Sequence, residues 1–192
     1  MPKIQAPTVA EHRAAQRAAL LEAAREILAE SGAEAAPGLA EVAARAGLAR
    51  SSVYSYFRSR EDLFDALVVD TLPRWTEYVV GQVSRARTPG AKVLAYVEAN
   101  LHLVARGDHA LMCAMAALGQ GGDAVAESNR DFHENLQGPL REALAAHGAD
   151  DPEHMADLVQ SVVYSGSRMI EDGMGERKAR AMVRDLLGPY LS

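Results

Sequence analysis

Cysteine is almost missing: Cys113 stands alone in 192 residues, which excludes an internal disulfide framework and fits a reducing compartment. Aromatic residues are sparse at 5%, so helices meeting through Ala, Leu and Val are favoured over a sheet core. No stretch approaches the roughly 18 uncharged apolar residues of a membrane span, and Met1-Pro2-Lys3 is followed by no apolar run of the signal-peptide kind. A cytoplasmic protein with no membrane partner is expected. The chain also lacks a phosphate loop, a paired-carboxylate motif, a Cys-x-x-Cys and a His-Glu-x-x-His. Neither an enzyme nor a metal or cofactor is expected on those grounds.

Negative charge is in excess, with a formal net of −6. Taken whole, that sign is wrong for a nucleic-acid binder, but the distribution reverses the reading. Residues 1–60 hold eight Lys/Arg against six Asp/Glu, and residues 61–192 hold twelve against twenty. Between residues 42 and 60 the only charges are Arg45, Arg50, Arg58 and Arg60. An acidic body with a locally cationic head can bind phosphate at one end and repel it elsewhere.

Apolar residues, 48% of the chain, recur at helical spacing, with no alternating strand pattern and no internal repeat. Thr8-x-x-Glu11 reads as a capping box opening a helix whose Leu20, Ala24, Ile27, Leu28 and Ser31 share a stripe until Gly32. Pro37-Gly38 breaks the chain ahead of two short helices, about 39–46 and 50–57, separated by Gly47. Ser59-x-x-Asp62 then opens a long helix. Further helices are expected near 90–106, 108–118, 123–147, 152–172 and 175–190. Pro139 should kink or split its helix, and Pro73 should divide the long one before it. The fold class is all-α, with a three-helix head over residues 1–60 and a larger helical body over 61–192.

The informative segment is Leu39 to Leu63, LAEVAARAGLARSSVYSYFRSREDL. Leu39, Val42 and Ala43 give the first short helix an apolar face, Gly47 permits a tight turn, and Leu48, Val53 and Phe57 pack the second helix onto the first. Arg50, Ser51, Ser52, Tyr54, Ser55 and Tyr56 remain outside that core set. Short hydroxyls let a helix sink into the major groove, Arg50 can reach a guanine edge, and tyrosines can donate to phosphates without adding charge. This is the logic of a helix-turn-helix reading double-stranded DNA.

Val42-Ala43-x-x-Ala46-Gly47-Leu48, followed by Val53-Tyr54-x-Tyr56-Phe57-x-Ser59-Arg60-Glu61-x-Leu63, resembles the signature of the TetR family. Its usual form is I-A-x-x-A-G-V, then L-Y-x-Y-F, then Lys-Glu-x-Leu. The motif covers about a third of the chain, and the remainder matches only in helix count and length. The resemblance implies that Arg50, Ser51, Ser52 and Ser55 touch base edges, and that Tyr54, Tyr56 and Arg60 hold the phosphate backbone. Two positions depart from it. Pro37-Gly38 stands where many relatives carry a capping Ser or Thr, leaving backbone N–H groups from Gly38 onward to meet a phosphate. Arg60 replaces Lys and keeps its charge.

The same resemblance implies that the body binds a small molecule and holds a homodimer together. Val93, Val97, Leu101 and Val104 mark an inward helix face that also carries Asn100. A buried amide needs partners, so Asn100 either anchors a ligand or bonds a neighbouring helix. Trp75, Tyr78, Tyr96, Met112, Met115 and Phe132 either line an apolar cavity with it or pack as plain core. For the dimer interface the candidates are Phe132, Leu136, Leu140 and Leu144 on one helix and Met155, Val159, Val162, Gly166 and Met169 on the next. The alternative for that stripe is an intrachain contact. His109 and Cys113 share a face four residues apart, but two ligands do not make a metal site. Glu98 and His102 form another such pair, read as a solvated contact.

The expected function is a TetR-type transcriptional regulator. In its simplest form it is a repressor that binds a palindromic operator as a homodimer and is released by a largely apolar small-molecule effector. The competing readings are a small all-α enzyme using a body cavity and a helical module that binds protein.

Overall fold

The computed structural model describes residues 8–31, 37–107 and 123–192. These residues form α-helices and connecting turns, with no strand among them. In chain order the helices are α1 (Val9–Ser31), α2 (Leu39–Arg45), α3 (Arg50–Val53), α4 (Arg60–Arg85), α5 (Pro89–Ala105), α6 (Asp123–His147), α7 (Pro152–Glu171) and α8 (Glu176–Leu191). The expected helix over 108–118, with Met112, Met115, His109 and Cys113, lies outside the described residues.

Side-chain caps open several of the helices. Glu11 N–H donates to Thr8 Oγ1 at 3.2 Å while the Glu11 carboxylate accepts from Thr8 N–H at 2.6 Å, closing the capping box. Ser59 Oγ accepts from Asp62 N–H at 3.2 Å, and Asp151 Oδ1 from His154 N–H at the same distance. α2 starts instead at Gly38, with no side-chain cap. Its end is a Schellman turn: Leu48 N–H donates to Ala43 O and Gly47 N–H to Ala44 O, with Gly47 at φ 68°. A left-handed residue there redirects the chain into α3 without the penalty a Cβ would bring.

The expected division at Pro73 is corrected, and at Pro139 the expected split does not occur. α4 runs unbroken through Pro73, and α6 through Pro139. Each proline removes one backbone donor, but apolar residues on both sides are buried: Leu72 and Trp75 around the first, Leu136 and Leu140 around the second. That packing holds the helix across the defect. In the opposite sense, α3 is shorter than expected. The regular helix ends at Val53, and the chain continues to Phe57 in mixed bonds, Ser55 N–H to Ser52 O and Tyr56 N–H to Val53 O of the tighter kind and Phe57 N–H to Val53 O of the α kind.

Two apolar clusters form the interior. The first joins Leu20, Leu21, Ala24, Ile27 and Leu28 of α1 to Val42, Val53 and Phe57, and ends with Leu63, Phe64 and Leu67 of α4. The second begins at Val68 and is centred on α5, against which α4, α6, α7 and α8 all pack. The apolar interiors therefore meet within α4, between Leu67 and Val68, rather than at residue 60. α4 serves both.

α1 touches the body in two further places. Arg25 Nε donates to Thr71 Oγ1 at 3.2 Å and its guanidinium pairs with Asp70. Gly107 abuts α1 so closely that a Cβ on it would lie 2.8 Å from Ala29 Cβ.

Candidate nucleic-acid interface and body grooves

The head presents its polar residues on the side opposite its core. Val53 and Phe57, 0% and 1% exposed, anchor the α3 segment inward. Helical spacing then leaves Arg50, Ser51, Tyr54 and Ser55 exposed, with Ser52 half-buried. Gly38 is exposed at the start of α2.

The four arginines of this stretch divide by partner. Arg45 is taken up inside the head, donating to both Glu30 oxygens at 3.0 and 2.8 Å. Those bonds, and the charge beside them, hold the Glu30 carboxyl below the usual carboxylate range. Arg60 stacks over the Phe64 ring at 5.8 Å. Arg50 and Arg58 have no ion-pair partner among the described residues. Their charge is therefore available to an external anion.

Tyr56 departs from expectation. It is half-buried, its hydroxyl donates to Gln16 Oε1 of α1 at 2.5 Å, and Arg13 lies over its ring at 5.3 Å. Its single phenolic proton is thus engaged within the chain rather than offered to a phosphate. Tyr54 is 53% exposed.

Among the described residues, the expected pocket residues share no common cavity. Trp75, Tyr96 and Asn100 form a buried hydrogen-bonded cluster. Trp75 Nε1–H donates to Asn100 Oδ1 at 2.8 Å, Asn100 Nδ2–H to Tyr96 O at 2.8 Å, and Tyr96 O–H to Gln160 Oε1 at 2.8 Å. Burial pushes the Tyr96 phenol far above its ordinary pKa, which keeps it a neutral donor. Asn100 is thus the interhelical amide, the plainer of its two readings. Tyr78 stacks on His102 with centroids 5.5 Å apart. The ring nitrogen of His102 meets Glu176 at 3.0 Å, so the expected Glu98–His102 contact is replaced by one across to α8. Glu98 instead accepts from Arg180 and Arg184. Burial alone would raise its carboxyl, but those bonds outweigh it and hold the group below the usual range.

The open space lies elsewhere. A groove of about 660 Å³ runs between α4 and α6. Leu72, Val80 and Phe132 give it apolar walls, Pro73 and Pro139 face it from the two helices, and Glu77, Asp131 and Glu134 stand at its edge. Of the expected pocket residues that are described, only Phe132 lines it. The missed ones, such as Leu72, Thr76 and Val80, are spaced four apart on one face of α4. The mid-helix prolines were the available signal.

A second groove, about 510 Å³, is formed by α7 and α8. Leu158, Val162, Gly166 and Met169 line one side, Met182 and Leu186 the other, with Leu158 and Leu186 61% and 65% exposed. Here the expected dimer stripe is corrected in part. Val162, Gly166 and Met169 border the groove, but Phe132, Leu136, Leu140, Leu144 and Val159 are at most 9% exposed and Met155 packs against them in the chain's own core. Gly166 has an intrachain reason to be small, since a Cβ there would lie 2.8 Å from Leu101 Cδ2. Among the described residues no group of three or more potential ligands could hold a metal ion, and no helix is long and apolar enough to cross a membrane.

A family model described as bacterial regulatory proteins, tetR family, matches residues 20–67. It ends where the apolar cluster of the head ends. The chain is 22% identical over 166 residues to the fatty acid metabolism regulator protein of Bacillus subtilis (strain 168), a match that covers 85% of this chain and 75% of that protein. Its fold is similar to that of the transcriptional regulator FadR from Bacillus subtilis in complex with stearoyl-CoA, with a TM-score of 0.67 and 19% identity over 88% of this chain and 96% of that one. It is similar as well to AibR in complex with isovaleryl coenzyme A and operator DNA, with a TM-score of 0.69 and 20% identity over 88% and 96% of the two chains.

Proposed function

Because the chain belongs to the TetR family of bacterial regulatory proteins, a family of DNA-binding transcription regulators rather than enzymes, we propose that it is a repressor whose homodimer binds a palindromic operator and is released by a small molecule. The observation that carries this reading is the exposed α3 surface. It pairs Arg50, Arg58 and several hydroxyls with a complete lack of Asp and Glu between residues 42 and 60. Phosphates supply most of the affinity at such a surface and base edges the selectivity.

A helix of four residues reads too few base pairs to be selective alone, so two copies related by a two-fold axis are required. The α7–α8 groove is the surface on which they meet, its apolar side chains otherwise left in water.

Arg58→Ala tests the DNA reading. Affinity for any duplex should fall and the salt slope should shrink by about one unit, while an unchanged slope would remove Arg58 from the interface.

The α4–α6 groove is the effector site in this account, its size within the usual range for small-molecule pockets. An apolar chain or ring would lie against Leu72, Val80 and Phe132. Structural relatives bind acyl-CoA thioesters, stearoyl-CoA in FadR and isovaleryl coenzyme A in AibR. A second reading comes from the three carboxylates at the edge, which would repel the phosphates of coenzyme A and favour an organic cation. Thermal shift with stearoyl-CoA, tetraphenylphosphonium and tetraphenylborate separates the two, the last pair sharing a shape with opposite charge. Stabilisation by the thioester alone supports the first, by the cation alone the second, and by neither would move the effector to another site.

A further inference from the structure

The α3 segment is unusually dependent on α1. It holds one α-helical turn and then passes through Tyr54, Ser55 and Tyr56 before Phe57 re-enters the core. Val53 and Phe57 fix its inner side. Its remaining tertiary hydrogen bonds go to two residues of α1, one turn apart. Arg13 Nη2 donates to the Ser55 carbonyl at 2.8 Å, and Gln16 Oε1 accepts the Tyr56 hydroxyl at 2.5 Å. The Arg13 guanidinium covers the Tyr56 ring as well, so one planar group holds both the backbone and the side chain of the turn.

We propose that Arg13 and Gln16 are positioning residues that set the orientation of the DNA-reading segment, and that Tyr56 is their anchor rather than a phosphate contact. This rests on the DNA-binding reading above. The physical basis is geometric. Tyr54 and Ser55 lie beyond the four-residue helix, in a turn closed by Phe57 N–H to Val53 O at 2.9 Å, so the angle at which they meet a base edge follows from what grips that turn. Base readout is directional, whereas attraction to phosphates tolerates misorientation. Loosening the grip should therefore lower selectivity more than general affinity.

The variants are Tyr56→Phe, Gln16→Ala, their combination, and Arg13→Lys, which keeps the charge but loses the planar fork. Two duplexes serve as probes, one enriched by the wild-type protein from a random pool and one of random sequence. Each single variant should lower the preference for the enriched duplex by about two- to ten-fold, with random-duplex affinity and salt slope unchanged. The double variant should be no worse than Tyr56→Phe, because both changes remove one bond. In DNA-free protein, hydrogen exchange at the Ser55 to Phe57 amides should quicken in every variant while α5 amides stay protected. Equal loss of affinity for both duplexes in Tyr56→Phe, with Gln16→Ala unaffected, would restore Tyr56 to the phosphates and overturn the proposal. Unchanged exchange at those amides would overturn it independently of any DNA. A wild-type protein that binds neither duplex, yet shows the exchange effect, would leave the α1 grip in place and overturn the DNA-reading role.

Discussion

Head and body each hold paired and unpaired arginines, in different settings. In the body, Arg180 and Arg184 converge on Glu98, Arg141 pairs with Glu153 at 3.0 Å, and Arg74 lies 3.5 Å from Asp70. Those cations are neutralised by the chain's own carboxylates, and all but the Arg74–Asp70 pair, which lies within α4, tie helices together. In the head, Arg45 behaves the same way, while Arg50 and Arg58 stand exposed with no ion-pair partner among the described residues, as Arg85 and Arg177 do in the body. What distinguishes the head pair is its setting: Ser51, Tyr54 and Ser55 are exposed beside it, and this is the face that the proposed function turns toward DNA.

The contrast can be broken most forcefully at the two interiors. Phe57→Ala empties a site that is 1% exposed in the head and should cost about 3–5 kcal/mol. Hydrogen exchange should then show α1 to α3 opening while α5 keeps its protection. Simultaneous opening of both regions would show that the clusters meeting in α4 unfold as one.

A smaller effect is expected from Gly166→Leu, which drives side-chain atoms into Leu101 of the same chain. Overpacking of this kind costs about 1–3 kcal/mol, measured by denaturant unfolding with the dimer still present. Leu186→Glu, on the exposed wall of the groove, should instead dissociate the dimer in light scattering and leave each chain folded. Dissociation by the glycine variant but not the leucine one would exchange their roles.

Next comes Glu98→Gln. The folded carboxyl of Glu98 is held below its ordinary range, so its contribution is present above the unfolded value and is lost as pH falls through the folded one. The substitution should cost about 1–2 kcal/mol at neutral pH and flatten the acid limb of the stability profile, leaving DNA affinity unaltered. Arg58→Ala should do the reverse, shifting stability by no more than about 0.5 kcal/mol while changing the salt dependence of DNA binding.

The two regions also differ in how far their sequence could be read. In the head, the contributing residues lie within a few turns of one another. Caps at Thr8 and Ser59, a left-handed Gly47 and the Val53/Phe57 pair therefore place the exposed set almost by themselves. Tyr56 escaped because its partner, Gln16, is forty residues earlier, and no local pattern signals that contact. In the body, periodicity identified Val93, Val97 and Leu101 as inward-facing, and all are 0% exposed. It could not say whether inward meant core, cavity or partner. Trp75, Tyr96 and Asn100 were core, and Leu140 and Leu144 packed within the chain. The α4–α6 groove arose where two helices distant in sequence failed to close on each other, and the α7–α8 groove where two consecutive helices leave apolar side chains uncovered.

The central claim, that two copies of the α3 segment read a symmetric site, is tested most directly by selecting duplexes from a random pool with the purified protein and sequencing those retained. The account predicts one enriched motif with two-fold symmetry, its half-sites about one helical turn apart or a multiple of it, and with Arg50→Ala the loss of preference at one base position in each half. Enrichment of no sequence, or of a single site without symmetry, would contradict it.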